Sequence, residues 1–345
     1  MLKKLKNKKI LIFGNSGFVG SWLTLCLNVF GAKILGVSLK MQNINYLSNT
    51  QKFKKNIKTI NCDLKDLHKI EAKIIDFKPE IIIHLASQPI VKVGYIDPVN
   101  THKTNITGTI KILEISRKIS TIKKVLVFTS DKVYSNFEQK TLTESSNLGG
   151  LDPYSASKSA QDIIAQSYRF SFFNKKELII LRSGNIIGGG DWAFNRIIPD
   201  IIRSYLRKRL LKIRSINSTR PWIHILDVLN AILIILTKNN INKKDLTFNL
   251  SPNIKKQVSV KKIIELILKN TEINKIKIKK IKNNIKEKKY LNISSNKALK
   301  ELKWKTKLDM KKALTLSIKF YLLNRDKIYD EAVKQINDFF SIKKR

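Results

Sequence analysis

Two hydrophobic rhythms run along the chain. Short unbroken apolar runs, bounded by glycine or polar residues, alternate with longer stretches in which apolar residues return every three or four positions. Ile10 to Phe13 is the first such run, and Gly14, Gly17 and Gly20 follow it at three-residue spacing. Trp22, Leu23, Leu25, Cys26, Leu27 and Val29 then predict a largely buried helix that stops at Gly31. A second strand is predicted over residues 32–40, a third in TINCDLKD (59–66) before Asp63, and a fourth in PEIIIHLASQPIV (79–91). Ile106, Ile110, Leu113 and Ile115 line the apolar side of a helix over 101–118. VLVF at 125–128 is the next run, and a helix begins at Asp152-Pro153 and continues to about residue 170. Unbroken apolar runs mark strands covered on both faces. Strands alternating with helices imply an α/β fold with a doubly wound parallel sheet of the Rossmann type. The expected division is residues 1–182 for that unit, with 220–250 packing back on it. Residues 183–345 then form a smaller mixed lobe.

Composition changes this picture little. At 345 residues the chain can build a large core. Its net charge of +41, from 67 Lys+Arg against 26 Asp+Glu, is extreme. The lysines are spread through nearly every segment and no zinc-finger or aromatic-interleaved basic motif accompanies them, so residue usage explains the charge and no specific nucleic-acid partner is expected. A basic surface would still gather a polyphosphate ligand. Cys26 and Cys62 have no partner at metal-ligand spacing, and His68, His84, His102 and His224 are dispersed. A reduced, cytoplasmic protein without a metal is expected. MLKKLKNKKILIF imitates the start of a signal peptide but is cut at once by Gly14-Asn15-Ser16-Gly17, and AILIIL (231–236) is too short to span a bilayer, so no membrane is expected.

Chemistry concentrates where strands end. Strand, glycine triplet and helix in that order suit a pyrophosphate, because glycine lets the backbone approach and the helix N-terminus offers unpaired N–H groups. The second strand ends in Ser38, Leu39 and Lys40, with no carboxylate for a ribose, so the residues alone leave NAD and NADP open. Asp63 suits either an adenine amine or a helix N-cap. Thr129-Ser130-Asp131-Lys132 puts two hydroxyls, an acid and an amine at the tip of a buried strand. On a regular strand Asp131 and Lys132 would face apart, whereas a turn there brings both to the crevice. Tyr154 and Lys158 stand four apart on the next helix and share one face. A tyrosine at pKa ~10 must fall by roughly three units to act as a base at neutral pH, about 4 kcal/mol. One ammonium at ~4 Å supplies ~1 to 4 kcal/mol.

GNSGFVGSW, HLASQPIV, DPVNTHKTNITGT, TSDKVYSN, GGLDPYSASK, RSGNIIGGGDWAFNRIIPDIIR and NSTRPWIHILD together resemble the extended short-chain dehydrogenases/reductases that act on nucleotide sugars. GGGDW with its Arg-x-x-Pro-Asp helix, TRPW, and Lys132 in place of the more usual Glu resemble the branch of that family that dehydrates CDP-glucose. The resemblance implies NAD held by Gly14, Ser16, Gly17, Phe18, Val19, Gly20, Asp63, Leu64, Leu85, Ala86, Ser87, Tyr154 and Lys158. It implies 4,6-dehydration in deoxysugar synthesis for surface polysaccharide. Tyr154 would deprotonate the 4-hydroxyl with Ser130 on the same oxygen, Asp131 would donate to the departing 6-hydroxyl, and Lys132 would accept the C5 proton or steady the enolate. Gln88, Asn185, Arg196 and Arg220 are the expected substrate contacts, and a homodimer or homotetramer the expected assembly. Trp192 and Trp222 read as packing residues, and His224 and Asp227 as one polar helix turn contacting the other lobe. Family members often carry His-Glu before a Tyr-Leu like Tyr290-Leu291, where this chain has Lys286-Glu287-Lys288-Lys289. An epimerase or reductase with the same Tyr154 and Lys158 is the nearest alternative. A dinucleotide-sensing or nucleic-acid-associated Rossmann protein is the alternative from another class.

Overall fold

The computed structural model describes residues 2–40, 46–135, 141–238, 241, 245–252, 258–281 and 291–342. The Lys286–Tyr290 stretch lies outside them. The apolar runs become strands β1 (Lys9–Phe13), β2 (Lys33–Ser38), β3 (Lys58–Asn61), β4 (Ile81–His84), β5 (Lys124–Phe128) and β6 (Glu177–Ser183), and Thr247–Leu250 adds β7. They pair in parallel in the order β7-β6-β5-β4-β1-β2-β3. Strand β1 lies between β2 and β4, with Ile10 opposite Ile34 on one side and Ile81 on the other. The connections leave β1 in both directions, so a crevice opens beyond the carboxyl ends of β1 and β4.

Alternation along each strand divides the core in two. Ile10 and Ile12 pack with Trp22 and Leu23 of the helix Phe18–Val29, Leu229 and Ile232 of the helix Ile225–Thr237, and Ile336 of the helix Ile328–Phe340. Leu11 and Phe13 pack on the opposite face with Ile112 and Leu113 of the helix Gly108–Lys118 and Ala165 of the helix Pro153–Phe172. A third, smaller cluster includes Ile198, Ile202, Leu211, Ile264, Leu314 and Tyr321. Trp22 Nε1 donates to the Gly189 carbonyl at 2.8 Å and ties the first helix to the segment after β6.

The helix expected over 101–118 is interrupted. Pro98–His102 and Gly108–Lys118 are joined by a π-helical turn at Lys103–Thr107. The widened turn accompanies a buried Asn105, whose Oδ1 accepts from the Gln88 backbone N–H (2.8 Å) while Nδ2 donates to the Ser157 hydroxyl (2.8 Å). Patterning sees apolar period but not the side-chain bonds that favour such a bulge.

One ion pair fixes the tip of β5. Arg182 on β6 donates through Nε and Nη2 to Asp162 Oδ2 (2.8 Å) and Oδ1 (2.7 Å), and both residues are fully buried. Thr129 Oγ1 donates to the same Asp162 Oδ2 at 3.0 Å. Arg182 Nη1 reaches the Tyr134 hydroxyl at 3.0 Å, and that hydroxyl donates to Asn249 Oδ1 of β7 at 2.6 Å. Removing one partner of a buried pair strands the other charge. Arg182→Met should therefore cost about 3–5 kcal/mol in urea unfolding, and adding Asp162→Leu should recover much of it; a single-variant loss below about 1 kcal/mol would contradict the assignment.

Candidate active site

The glycine triplet forms the floor of the crevice. Gly14 has φ +87, a conformation that favours glycine, and a Cβ on Gly20 would lie 1.9 Å from the Gly14 carbonyl oxygen. The turn therefore closes tightly onto the helix Phe18–Val29. That helix starts after Gly17 without a side-chain cap, leaving its first N–H groups available to an anion. Cβ on Gly17 would meet nothing nearer than 3.5 Å, and the backbone there faces the crevice. A cavity of about 1220 Å³ runs from this turn into the second lobe. Pockets for one drug-sized ligand are ~300–1,000 Å³, so this volume suits more than one ligand of that size.

Gly14, Gly17, Phe18, Val19, Gly20, Asp63, Leu64, Leu85, Ala86 and Ser87 all line the cavity, as do Ser130, Asp131, Lys132, Tyr154, Lys158, Asn185, Arg196 and Arg220. Ser16 and Gln88 are placed otherwise. The Ser16 hydroxyl bonds to the Ser38 hydroxyl (2.5 Å) and donates to the Leu39 carbonyl (2.9 Å), bracing the turn against the end of β2. Gln88 Nε2 donates to Thr101 Oγ1 (2.9 Å) and Oε1 accepts from the Ile90 backbone (2.5 Å), a brace for the loop after β4. Asp63 lines the cavity and also N-caps the following helix through Lys65 N–H at 3.0 Å. Trp222 is buried, donates from Nε1 to the Val258 carbonyl (2.8 Å) and also lines the cavity, while Trp192 packs edge-on against Tyr321. His224 caps the helix Ile225–Thr237, and Asp227 accepts from the Lys307 backbone at 2.7 Å.

The chain turns at the end of β5, as the mixed TSDK chemistry requires. Thr129 N–H donates to the Leu181 carbonyl at 2.8 Å, the last sheet-like bond. Ser130 is extended, and Asp131–Val133 then form a 3₁₀ turn. Ser130 Oγ accepts from Lys132 N–H (3.2 Å) and donates to Asp131 Oδ1 (3.0 Å). Both Asp131 and Lys132 consequently meet the same cavity. Opposite them, Asp152 caps the helix Pro153–Phe172 by accepting from Ser155 N–H at 3.0 Å, which sets Tyr154 in its first turn.

Electrostatics of the pair are set by burial. Burial pushes the Tyr154 hydroxyl up to about 12, against a lowering hydrogen bond with Ser130; Asp131 adds to the rise and Arg196 opposes it. Burial draws Lys158 down to about 7, against the raising influence of Asp162. The expected simple arrangement, an ammonium aimed at the phenol, is thus modified: Lys158 Nζ donates to Gln161 Oε1 at 2.8 Å and to the Phe128 carbonyl at 3.4 Å. Arg196 pairs with Asp191 at 2.7 Å, and the Tyr321 hydroxyl donates to the Asp191 carbonyl at 2.6 Å. Asp191, Phe194, Arg203 and Tyr321 are cavity residues that reading the sequence missed. The acid beside Trp192 in GGGDW, five residues before Arg196, was the available signal.

A parallel sheet with a glycine-rich turn, a buried Tyr–Lys pair on one helix and a Ser-Asp-Lys turn opposite defines a Rossmann-type protein of the short-chain dehydrogenase/reductase class. The chain belongs to the GDP-mannose 4,6 dehydratase family, whose model matches residues 11–316. It is 38% identical over 238 residues to a CDP-glucose 4,6-dehydratase of Salmonella typhimurium, a match covering 67% of this chain and 66% of that protein. It is 26% identical over 270 residues to a dTDP-D-glucose 4,6-dehydratase of Bos taurus, covering 75% and 73%. Among solved structures, the fold is similar to dTDP-glucose 4,6-dehydratase of Bacillus anthracis in complex with NAD, with TM-score 0.78, 21% identity and coverage of 94% and 99%. An epimerase of Methanothermobacter thermautotrophicus superposes with TM-score 0.82 at 18% identity, covering 98% and 96%.

Proposed function

We propose that this protein is a nucleotide-sugar 4,6-dehydratase that converts CDP-glucose to its 4-keto-6-deoxy product, in deoxysugar synthesis for surface polysaccharide. The observation that carries the reading is that Ser130, Asp131, Lys132 and Tyr154 face one cavity, with Asp131 and Lys132 presented together by the turn after β5. An epimerase or reductase needs the Tyr154 end alone. Elimination needs in addition a proton donor for the oxygen leaving C6 and an acceptor for the proton leaving C5.

NAD bound along the glycine turn would supply a reversible hydride acceptor at C4. Tyr154 takes the 4-hydroxyl proton, and Ser130 holds the same oxygen. The resulting 4-keto group acidifies C5–H. Lys132 accepts that proton or steadies the enolate, while Asp131 donates to the departing 6-hydroxyl. Asn185, Arg196 and Arg220 hold the sugar diphosphate, where the forked donors of arginine match phosphate oxygens. The CDP-glucose assignment draws on GGGDW, TRPW and Lys132 and on the likeness to the Salmonella enzyme.

The partner of the folded chain is a second copy of itself. The helix Pro153–Phe172 has three charged side chains, Lys158, Asp162 and Arg169, and all are buried. Its outward positions include Ile163 (53% exposed) and Phe170 (66%), beside exposed Ile96, Val99 and Leu151. In a chain of net charge +41 this largely apolar face, with the Arg169 guanidinium over the Phe170 ring, is where two copies meet with least repulsion. Cys26 and Cys62 are both free, in keeping with a reducing compartment, and the proposed setting is the cytoplasm. Among the described residues no helix is long and apolar enough to cross a membrane.

The direct test is incubation with CDP-, dTDP-, GDP- and UDP-hexoses, followed by 4-keto absorbance in alkali. Signal with CDP-glucose is expected, and silence with all four would end the reading. Tyr154→Phe should abolish turnover while NAD affinity, read by calorimetry, stays within about threefold; full turnover would remove Tyr154 from the chemistry. Lys132→Met should allow oxidation at C4 but stall elimination, visible as reduced nicotinamide that persists with substrate; normal product formation would dismiss its role. Ile163→Lys with Phe170→Lys should turn a dimer into a monomer in sedimentation, whereas an unchanged sedimentation coefficient would place the interface elsewhere.

A further inference from the structure

The geometry points to Gln161 as the residue that positions Lys158, holding its amine through a neutral amide oxygen. Gln161 stands three residues after Lys158 on the helix Pro153–Phe172, where i and i+3 side chains meet. Its Oε1 accepts from Lys158 Nζ at 2.8 Å, and both side chains are buried.

The orientation of the amide is dictated by its other end. Gln161 Nε2 donates to Thr109 Oγ1 at 2.9 Å. Thr109 spends its own proton on the Asn105 carbonyl at 2.7 Å, so it has none for a flipped Gln161 oxygen. A flip would also turn the amide N–H₂ against the ammonium. His84 completes the wall. His84 Nε2 lies 2.9 Å from Thr109 Oγ1 and 3.2 Å from Gln161 Nε2. Its Nδ1 is buried without a hydrogen-bond partner among the described residues, which suits a neutral ring. Burial and Lys158 together hold His84 down at about 3.

The acid nearest in sequence, Asp162, raises Lys158 only through space, without a hydrogen bond to its amine. Both Asp162 oxygens bind the Arg182 guanidinium, and Oδ2 also accepts from Thr129. The titratable and charged groups around Lys158 are then His84 on β4, Tyr154 and Asp162 on its own helix, and Asp131 and Lys132, which line the same cavity after β5. The helical segment through Asn105 and Thr109 faces it with groups that do not titrate. A buried amine held by neutral dipoles loses the charged form more readily than one held by a carboxylate, consistent with burial drawing Lys158 to about 7. A glutamate at residue 161 would bind the same ammonium with a full charge. Gln161 is a positioning residue in this account, since it acts on substrate only through Lys158.

The test uses the full chain labelled with ¹³Cε-lysine. Exposed lysines titrate near ~10.4, so a resonance that titrates in the neutral range and vanishes in Lys158→Met belongs to Lys158. Gln161→Glu should raise that midpoint by about one pH unit or more, and the near-isosteric Gln161→Met should lower it. Movement in opposite directions supports the inference; a midpoint unmoved in both variants, or moved the same way in both, overturns it. The second readout rests on the dehydratase reading. If charged Lys158 assists Tyr154, the alkaline limb of kcat/KM should move with the NMR midpoint, whereas a merely structural role would lower kcat and leave the limb in place. The NMR titration needs no substrate, so absence of turnover would refute the dehydratase reading while leaving the Gln161 result to be judged separately.

Discussion

Arg182 and Asp162 hold together the three pieces of chain on which the chemistry stands. Asp162 sits on the helix that carries Tyr154 and Lys158, Arg182 on β6, and the shared Thr129 at the tip of β5 immediately before Ser130, Asp131 and Lys132. A bidentate guanidinium–carboxylate pair has little angular freedom. The helix and the turn are therefore fixed to one another by a rigid, dry contact, not by loops. Packing alone would place the elements to within a side chain's width, but proton transfer needs hydrogen-bond tolerance.

The same burial that makes the frame rigid sets the proton affinities inside it. It pushes the Tyr154 phenol up to about 12 and draws Lys158 down to about 7, both toward their neutral forms. A phenolate at Tyr154 therefore forms only where positive charge is brought to it. Arg196 already acts in that sense, and it is steadied by Asp191. Asp131 works in the opposite direction on Tyr154, which suits a sequence in which the two residues act at different carbons and at different moments.

The frame was far more legible in the sequence than the wiring. Strands β1, β4 and β5 read plainly because a parallel sheet covered on both faces demands unbroken apolar runs. The glycine turn read plainly because Gly14 and Gly20 meet requirements that a Cβ violates. Helical spacing put Tyr154 and Lys158 on one face, and both line the cavity; chemistry out of place on a strand marked the turn at Asp131. What escaped were contacts made across the fold. Gln161 looks like any polar residue on a helix. Asp162 and Arg182 are twenty positions apart, and nothing local pairs them. Ser16 and Gln88 were expected at the ligand, yet their side chains brace the loops that approach it. The π turn at Lys103–Thr107 follows from the bonds of Asn105, which hydrophobic period does not record.

In the proposed dehydration one hydride leaves C4 of the hexose and returns to C6 of the same molecule, and Asp131 and Lys132 would remove water between those events. CDP-glucose carrying deuterium at C4, converted in ordinary water and read by NMR, tests this directly. The account predicts a 4-keto product with the deuterium in its C6 methyl group. Deuterium found in solvent, or still at C4 in the product, would contradict it.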